Sequence, residues 1–235
     1  MKYMGSKNRI AKYLLPIILA DRQKGQWYVE PFVGGANMID KVDGNRLGAD
    51  SNEYLIAALK LIRDCPESIP DIITEDMYQQ MKNQRVVDGL TGFTSFALSF
   101  GGKFFGGYRR DVAGTKGSIY NMKTQTRRAK NSALVQSPLL QGVILVCSKS
   151  LDLEIPQNSI VYCDPPYAGT TKYKDGFNHK EFWSWAEELA QKGHKVFVSE
   201  YRAPEPWTCV WSKEQTSSLT QDTGSKRAVE RLFTL

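Results

Sequence analysis

The chain has 235 residues and a mass of 26.5 kDa, with 41% hydrophobic and 24% charged residues, a mean hydropathy of −0.40 and a net charge of +6. This composition excludes a wholly disordered or collagen-like chain and leaves room for one large domain, or one domain with an inserted subdomain. The longest apolar stretch, Tyr13 to Ala20, is broken by Pro16 and far from the ~18 residues of a membrane-spanning helix.

The chain opens on a polar turn, Tyr3-Met4-Gly5-Ser6-Lys7, followed by a predicted helix near residues 8–20. No signal-peptide hydrophobic region is present, so a cytoplasmic protein is expected. A short strand at 27–30 runs into Pro31-Phe32-Val33-Gly34-Gly35-Ala36-Asn37 and a short helix. The next strand is Arg46-Leu47-Gly48-Ala49-Asp50. A helix over about 52–63 places Leu55, Leu59 and Ile62 on one face, and Cys65-Pro66 ends it. This β-α-β-α order predicts an α/β fold with a parallel sheet covered by helices on both faces.

Residues 66–140 break the alternation. They hold a short polar helix near 75–84, an apolar run at Phe93–Phe100 and a Gly-rich basic stretch. They read as a mainly helical and loop insertion, which divides the chain into a domain of residues 1–65 and 141–235 and an inserted region, 66–140. Residues 101–130 alone carry a charge of +7 and the rest of the chain about −1. Lys103, Arg109, Arg110, Lys116, Lys123, Arg127, Arg128 and Lys130 are interleaved with Phe104, Phe105, Tyr108 and Tyr120 and with six glycines. Basic side chains among glycines and aromatics suit a surface that tracks phosphates and stacks bases. A solvated loop region would account for the charge alone.

Alternation resumes with strands at 142–147 and 159–163, the second leading straight into Asp164-Pro165-Pro166-Tyr167. A helix at about 179–192 has Asn178 as N-cap and Glu181 three residues on. Its apolar face is Phe182, Trp185, Ala186 and Leu189, and Gly193 stands where a helix-ending glycine belongs. A strand at 195–199 follows. Segments 207–211 and 229–235 read as further strands, an antiparallel edge.

Three stretches carry chemistry. Glu30–Ala36 is an acidic residue followed by a glycine turn directly after the first strand, which lets a ligand approach the backbone. A tight turn would also explain the glycines, and the pattern is not GxGxxG, so a nicotinamide cofactor is not indicated. Asp50, at the end of the second strand, is placed to accept two ribose hydroxyls of an adenosine-containing ligand, or to cap the next helix. Asp164–Tyr167 is the strongest signal: two prolines stiffen the turn and remove two N–H donors, leaving a carboxylate, a carbonyl and an aromatic ring at a strand's end.

Other chemistries fail simple tests. Gly102-Lys103 is followed by Phe104, with Ala97 at the first glycine position, so there is no Walker A motif. No GxSxG elbow and no Pro-Cys pair occur. Cys65, Cys147, Cys163 and Cys209 are widely spaced and only His179 and His194 could join them, which argues against a metal site and a disulfide framework. Cys163 reads as a buried small hydrophobe.

Over nearly its whole length the chain resembles the Dam-type, alpha-group N6-adenine DNA methyltransferases of bacteria and phages. Tyr3-Met4-Gly5-Ser6-Lys7 is similar to their N-terminal cofactor motif, Glu30–Ala36 to their Gly-rich loop and Ala49-Asp50-Ser51-Asn52 to their ribose-binding motif. Tyr162-Cys163-Asp164-Pro165-Pro166-Tyr167 matches their catalytic motif without change. Ser199-Glu200-Tyr201 and Asp222–Lys226 resemble later core motifs. Gly34-Gly35-Ala36 departs from the Gly-x-Gly of many members.

The resemblance implies an S-adenosyl-L-methionine (AdoMet)-dependent, Rossmann-like catalytic domain with an inserted target-recognition region. It implies methylation of adenine N6 in duplex DNA, with no metal and no membrane; a monomer is favoured. The cofactor would be held by Tyr3, Gly5, Ser6, Lys7, Glu30, Phe32, Gly34, Asp50 and Asp164, with Lys7 at its carboxylate, Glu30 at its methionine end and Asp50 at its ribose. Asp164, Pro165, Pro166 and Tyr167 would be catalytic: the Asp164 carboxylate and the Pro165 carbonyl accept the amino hydrogens, and Tyr167 stacks on a base flipped out of the duplex. DNA would meet Lys103, Arg109, Arg110, Lys116, Tyr120, Arg127, Arg128 and Lys172, with Arg109 and Arg110 nearest the reading surface. An RNA substrate and an idle nucleic-acid-binding protein of the same fold remain as alternatives. Cytosine-N4 transfer usually has Ser in place of Asp164.

Overall fold

The computed structural model describes residues 1–110, 119–167, 177–216 and 227–235, with the main chain alone for 119–122, 215–216 and 227–228. Its frame is a sheet of seven strands: β1 (Tyr28–Glu30), β2 (Arg46–Asp50), β3 (Val143–Cys147), β4 (Ile160–Cys163), β5 (Lys195–Glu200), β6 (Thr208–Thr216) and β7 (Arg227–Thr234). Their order is β3-β2-β1-β4-β5-β7-β6. β1 to β5 are parallel, and β7 runs antiparallel between β5 and β6. The chain builds outward from β1 through β2 to β3, then returns to lay β4 on the other side of β1. That reversal opens a crevice at the C-terminal ends of β1 and β4, where sheets of this kind bind ligands.

Both faces of the sheet are covered, which is why its central strands read as apolar runs. Tyr28 and Val29 are neighbours in β1, yet they belong to opposite layers, as alternating strand side chains must. On the first face Tyr28, Tyr162 and Phe197 pack with Leu14 and Ile18 of α1 (Ala11–Ile18) and with Leu55, Leu59 and Ile62 of α2 (Glu53–Asp64). The α3 helix spans Glu75–Gln84. Phe93 and Phe96 of α4 (Gly89–Ala97), with Ala133 and Leu140 of α5 (Ile119–Leu140), extend that layer. On the second face Val29, Val161 and Val198 meet Phe182, Ala186 and Leu189 of α6 (His179–Gln191). Asn178 caps α6 by accepting from Glu181 N at 3.2 Å, and Gly193 takes φ 89° just after it.

The region 66–140 therefore shares the main core. Only Ile73, Tyr78, Leu98 and Phe105 form a smaller cluster of their own. The junction of α2 and α4 depends on glycine: a Cβ at Gly92 would stand 2.0 Å from the Tyr54 carbonyl oxygen. Gly92→Ala is expected to cost about 1–3 kcal/mol or more, because the backbone must move. A thermal midpoint equal to wild type would show that the helices part freely.

Several boundaries differ from the sequence reading. The first helix begins at Ala11, not near residue 8, and β6 runs on to Thr216. The apolar run at Phe93–Phe100 is the end of α4 and the turn after it, and it leaves Phe100 72% exposed. The 22-residue α5 has no counterpart in the sequence reading. Its buried side carries Gln125, Thr126, Ala133, Gln136 and Ser137, so helical spacing is present but the apolar signal that reveals it is not. Those polar groups serve long-range contacts: Thr126 Oγ1 accepts from Ile73 N, and Gln136 Nε2 donates to Asp40 and to the Gly35 carbonyl. Arg46 of β2 donates to the Leu139 and Gln141 carbonyls, placing a cation at the C-terminal end of α5.

Candidate active site

Parallel registry sets the ends of β1, β2 and β4 side by side, so Glu30, Asp50 and Asp164 share one edge of the sheet. The β4 strand is stiffened there by the buried Tyr162 hydroxyl, 2.8 Å from Ser199 Oγ of β5. Asp164 follows directly. Its Oδ1 lies 2.9 Å from Lys7 Nζ, an ion pair in which the ammonium is 8% exposed and the carboxylate 20%. Lys7 also donates to the Gly5 carbonyl at 3.2 Å, and Gly5 allows that turn with φ 78°.

Tyr167 completes the cluster. Its hydroxyl donates to Glu230 of β7 at 2.7 Å, its ring meets Tyr201 edge-on at 4.7 Å, and Lys7 Nζ stands 4.7 Å from its centroid. The two prolines between them restrict φ at both positions and so limit how the turn can bend. Burial pushes the Asp164 carboxyl above its ordinary range, and Glu230 adds to this, while the Lys7 charge opposes it. Burial works against the charge on Lys7, but Asp164 and Glu230 hold it above the ordinary lysine value.

Burial raises the neighbouring carboxyls as well. Burial drives Glu30 well above the usual carboxylate range, and Asp40 and Asp164 push the same way. Glu30 Oε1 has no hydrogen-bond partner among the described residues. Asp50 is raised to about 6 by burial, although its oxygens accept from Asn52 N at 3.0 Å and Gly34 N at 3.3 Å. Asp50 does not cap α2. Asn52 does, accepting from Leu55 N at 3.1 Å. Asp50 instead ties the glycine turn to the end of β2.

The glycine turn is crowded from above. A Cβ at Gly34 would lie 3.0 Å from the Tyr3 ring, and one at Gly35 would lie 2.8 Å from Tyr3 Cβ. Tyr3 thus walls the crevice, packed on Phe96 at 5.4 Å. Ala36 takes φ 57°, a left-handed conformation uncommon for a residue with a Cβ. Phe32 leans the other way, edge-on to Phe177 and Phe182 of the second layer. Ser6 is exposed and its Oγ accepts from Asn8 N.

The basic cluster disperses in space. Arg109 and Arg128 line one cleft of about 140 Å³ with Lys2, Phe93 and Ala133. Arg110 is ion-paired with Glu75 at the start of α3, and Lys130 with Asp71. Lys103 and Arg127 are exposed. Lys116, Lys172 and the Asp222–Lys226 motif lie outside the described residues, as does the side chain of Tyr120. The region reaches the site through Gly102, whose carbonyl accepts from Met4 N at 3.3 Å, and whose Cβ would stand 3.0 Å from the Tyr3 backbone.

Sequence reasoning missed Glu230 and the pairing of Lys7 with Asp164. Neither leaves a local signal, because each partner comes from a distant part of the chain. Among the described residues no helix is long and apolar enough to cross a membrane, and no group of three or more His, Cys, Asp or Glu could hold a metal ion.

The chain is 23% identical over 211 residues to the Type II methyltransferase M.FokI of Planomicrobium okeanokoites, a match covering 80% of this chain and 32% of that protein. It thus spans about a third of the curated relative it matches. Solved structures that resemble it include yhhF from Escherichia coli, described as a methyltransferase, with TM-score 0.39, 11% identity and coverage of 99% of this chain and 88% of that one. Another, from Listeria monocytogenes, is described as a class I S-adenosylmethionine-dependent methyltransferase, with TM-score 0.40, 12% identity and coverage of 98% and 60%. The family model for D12 class N6 adenine-specific DNA methyltransferases matches residues 3–94 and 104–223, most of the sequence, and the chain belongs to that family.

Proposed function

We propose that this chain transfers the methyl group of AdoMet to the N6 amino group of an adenine flipped out of duplex DNA. The observation that carries the reading is the Asp164–Tyr167 turn at the β1/β4 crevice, its carboxylate beside Lys7 and its ring held by Glu230. The crevice suits AdoMet: the glycine turn beneath the Tyr3 ring, Glu30 Oε1, which has no partner among the described residues, and the Asp50 carboxyl line one edge. Glu30 would hold the methionine end of the cofactor and Asp50 its ribose, with Tyr3 and Gly34 as the wall between. Phe32 backs this wall from the second layer, while Gly5 and Ser6 shape the turn that carries Lys7.

AdoMet supplies the methyl group and a neutral thioether leaving group. Adenine N6 is a weak nucleophile because its lone pair is delocalised into the ring. Asp164 and the Pro165 carbonyl accept hydrogen bonds from its two N–H groups, which favours the pyramidal nitrogen, and the Asp164 carboxylate receives the departing proton. Pro166 keeps the following ring in place, and Tyr167 stacks on the base. Lys7 fixes the carboxylate rotamer, and the catalytic gain is largely one of position. The test is incubation with labelled AdoMet and duplex DNA, then sequencing for N6-methyladenine. Label in RNA alone would favour the RNA reading, and no label in either would leave an idle binding protein.

Residues 66–140 are the proposed target-recognition region, acting on DNA in the cytoplasm as a monomer. Exposed Lys103 and Arg127 meet phosphates, Arg109 and Arg128 face the reading cleft, and Phe100 offers a ring to the bases. Arg110 is already engaged by Glu75. Arg127→Ala is therefore expected to lower the log–log salt slope of DNA binding by about 0.9, and Arg110→Ala to change it far less. Filter binding across salt measures both, and equal effects would overturn the distinction.

A further inference from the structure

A second basic surface lies outside the insertion, on the other flank of the catalytic turn. Tyr13, in the first turn of α1, is 39% exposed, and its ring stacks on Trp211 of β6 with centroids 6.3 Å apart and planes 23° apart. Two ammonium groups converge on that one ring: Lys213 Nζ at 4.1 Å and Lys12 Nζ at 4.9 Å from its centroid. Neither lysine forms an ion pair among the described residues. Two like charges drawn to one exposed phenol repel each other, and the carboxylate opposite Lys213, Glu230, is engaged by the Tyr167 hydroxyl. An anion seated between them relieves that repulsion.

The topology puts this cluster at the mouth of the site. The pairing of β5 with β7 ends at Glu200↔Arg231, at the C-terminal edge of the parallel strands. The β6–β7 pairs from Lys213↔Glu230 to Thr216↔Arg227 run on past that edge, forming an arm on the catalytic side. Lys213 is directly opposite Glu230, so the two side chains leave the same face of the arm. Glu230 is the acceptor of the Tyr167 hydroxyl. From the other direction, Lys12 and Tyr13 follow closely on Lys7, the partner of Asp164. Trp211 is opposite the buried Leu232 and packs against the α1 layer, which gives the ring a fixed base.

We propose that Lys12, Tyr13 and Lys213 form a cradle for one backbone phosphate of the DNA strand that carries the target adenine. The proposal rests on the DNA methyltransferase reading and adds a second anchor to it. A flipped nucleotide rotates about its own backbone, so the phosphates beside it must be held while the base enters the site. Two ammoniums and a phenol hydroxyl supply donors for one phosphate, and the Tyr13–Trp211 stack sets their spacing.

The experiment uses the full chain and a short duplex known to be methylated. Lys12→Gln with Lys213→Gln is expected to reduce the log–log salt slope by about 0.9, which narrows the affinity ratio between about 50 and 200 mM salt by about 3.5-fold. The weakening should be equal on cognate and scrambled duplexes, and Lys12→Arg with Lys213→Arg should restore it. A thermal midpoint and an AdoMet affinity like those of wild type show that the double variant is folded. Neutral methylphosphonates placed singly along each strand then locate the contact. One position beside the target adenine should weaken the wild type and leave the double variant unaffected. Should the wild type methylate the duplex while the double variant keeps its slope and affinity, the cradle falls and the function stands. A sensitive phosphate that is the same in both proteins also overturns the cradle. A wild type that neither binds nor methylates duplex DNA overturns the function first.

Discussion

Asp164→Ala is expected to lower methyl transfer by at least ~10²–10⁴-fold, the scale associated with a positioned proton acceptor. The side chain it removes lies at the end of a central strand, 20% exposed, beside the Lys7 ammonium. Removing one partner of a buried pair also threatens the fold, since Lys7 would keep its charge at 8% exposure. Asp164→Asn separates the two effects: it keeps the shape and one acceptor oxygen but lacks the charge that receives a proton. A thermal midpoint near wild type with turnover reduced by a similar order would assign the loss to chemistry. Turnover near wild type in the alanine variant would remove Asp164 from the mechanism. The pH profile has a definite sign. The ionised carboxylate is the working form, and burial raises its pKa, so the rate falls as pH drops through that raised value. Lys7→Met removes the opposing positive charge and should move this acid limb to higher pH.

Asp50→Ala is expected to weaken AdoMet binding by ~1–3 kcal/mol, the scale of a lost hydrogen bond to a charged group, with DNA affinity in the absence of cofactor barely changed. The carboxyl has a second duty, because it accepts from Gly34 N and Asn52 N and so shapes the turn it faces. Calorimetry with AdoMet and with DNA separately decides between the roles, and an equal loss of both would make Asp50 purely structural. Acidity offers a further check without mutation. With a pKa of about 6, roughly a tenth of Asp50 is ionised at pH 5 and most of it at pH 7. AdoMet affinity should then fall about tenfold from pH 7 to pH 5 through this group. Stability of the cofactor-free protein moves the other way. A carboxyl whose folded pKa lies above its unfolded value favours the fold most at low pH, and that contribution is lost as pH rises through about 6.

The sequence by itself determined the elements whose information is local. The β2 strand and the polar helix at Glu75–Gln84 begin and end where the reading put them, and α6 has its Asn178 cap and its glycine stop. Alternating strands and helices with apolar faces fixed the α/β class and the parallel strands, because burial on both sides of a sheet imposes that pattern on the residues. The Asp164–Tyr167 turn was legible for a similar reason: proline restricts the backbone wherever it stands, so the turn after β4 is marked by adjacent residues.

Contacts between distant parts of the chain were decided only by the tertiary structure. The α5 helix escaped because its inward side carries Gln125, Thr126, Gln136 and Ser137, at least two of them chosen for partners at Ile73 and Asp40 rather than for hydrophobicity. Lys7 reads locally as the end of a cofactor-binding turn, yet in the fold its ammonium is beside Asp164. The charge of +7 in residues 101–130 looked like one surface, but Arg110 and Lys130 are paired with acids of residues 66–100. A separate basic cluster on α1 and β6 had no signature along the chain. Period and proline act over a few residues, whereas an ion pair or a shared ring needs only proximity in space, which the path of the sheet supplies.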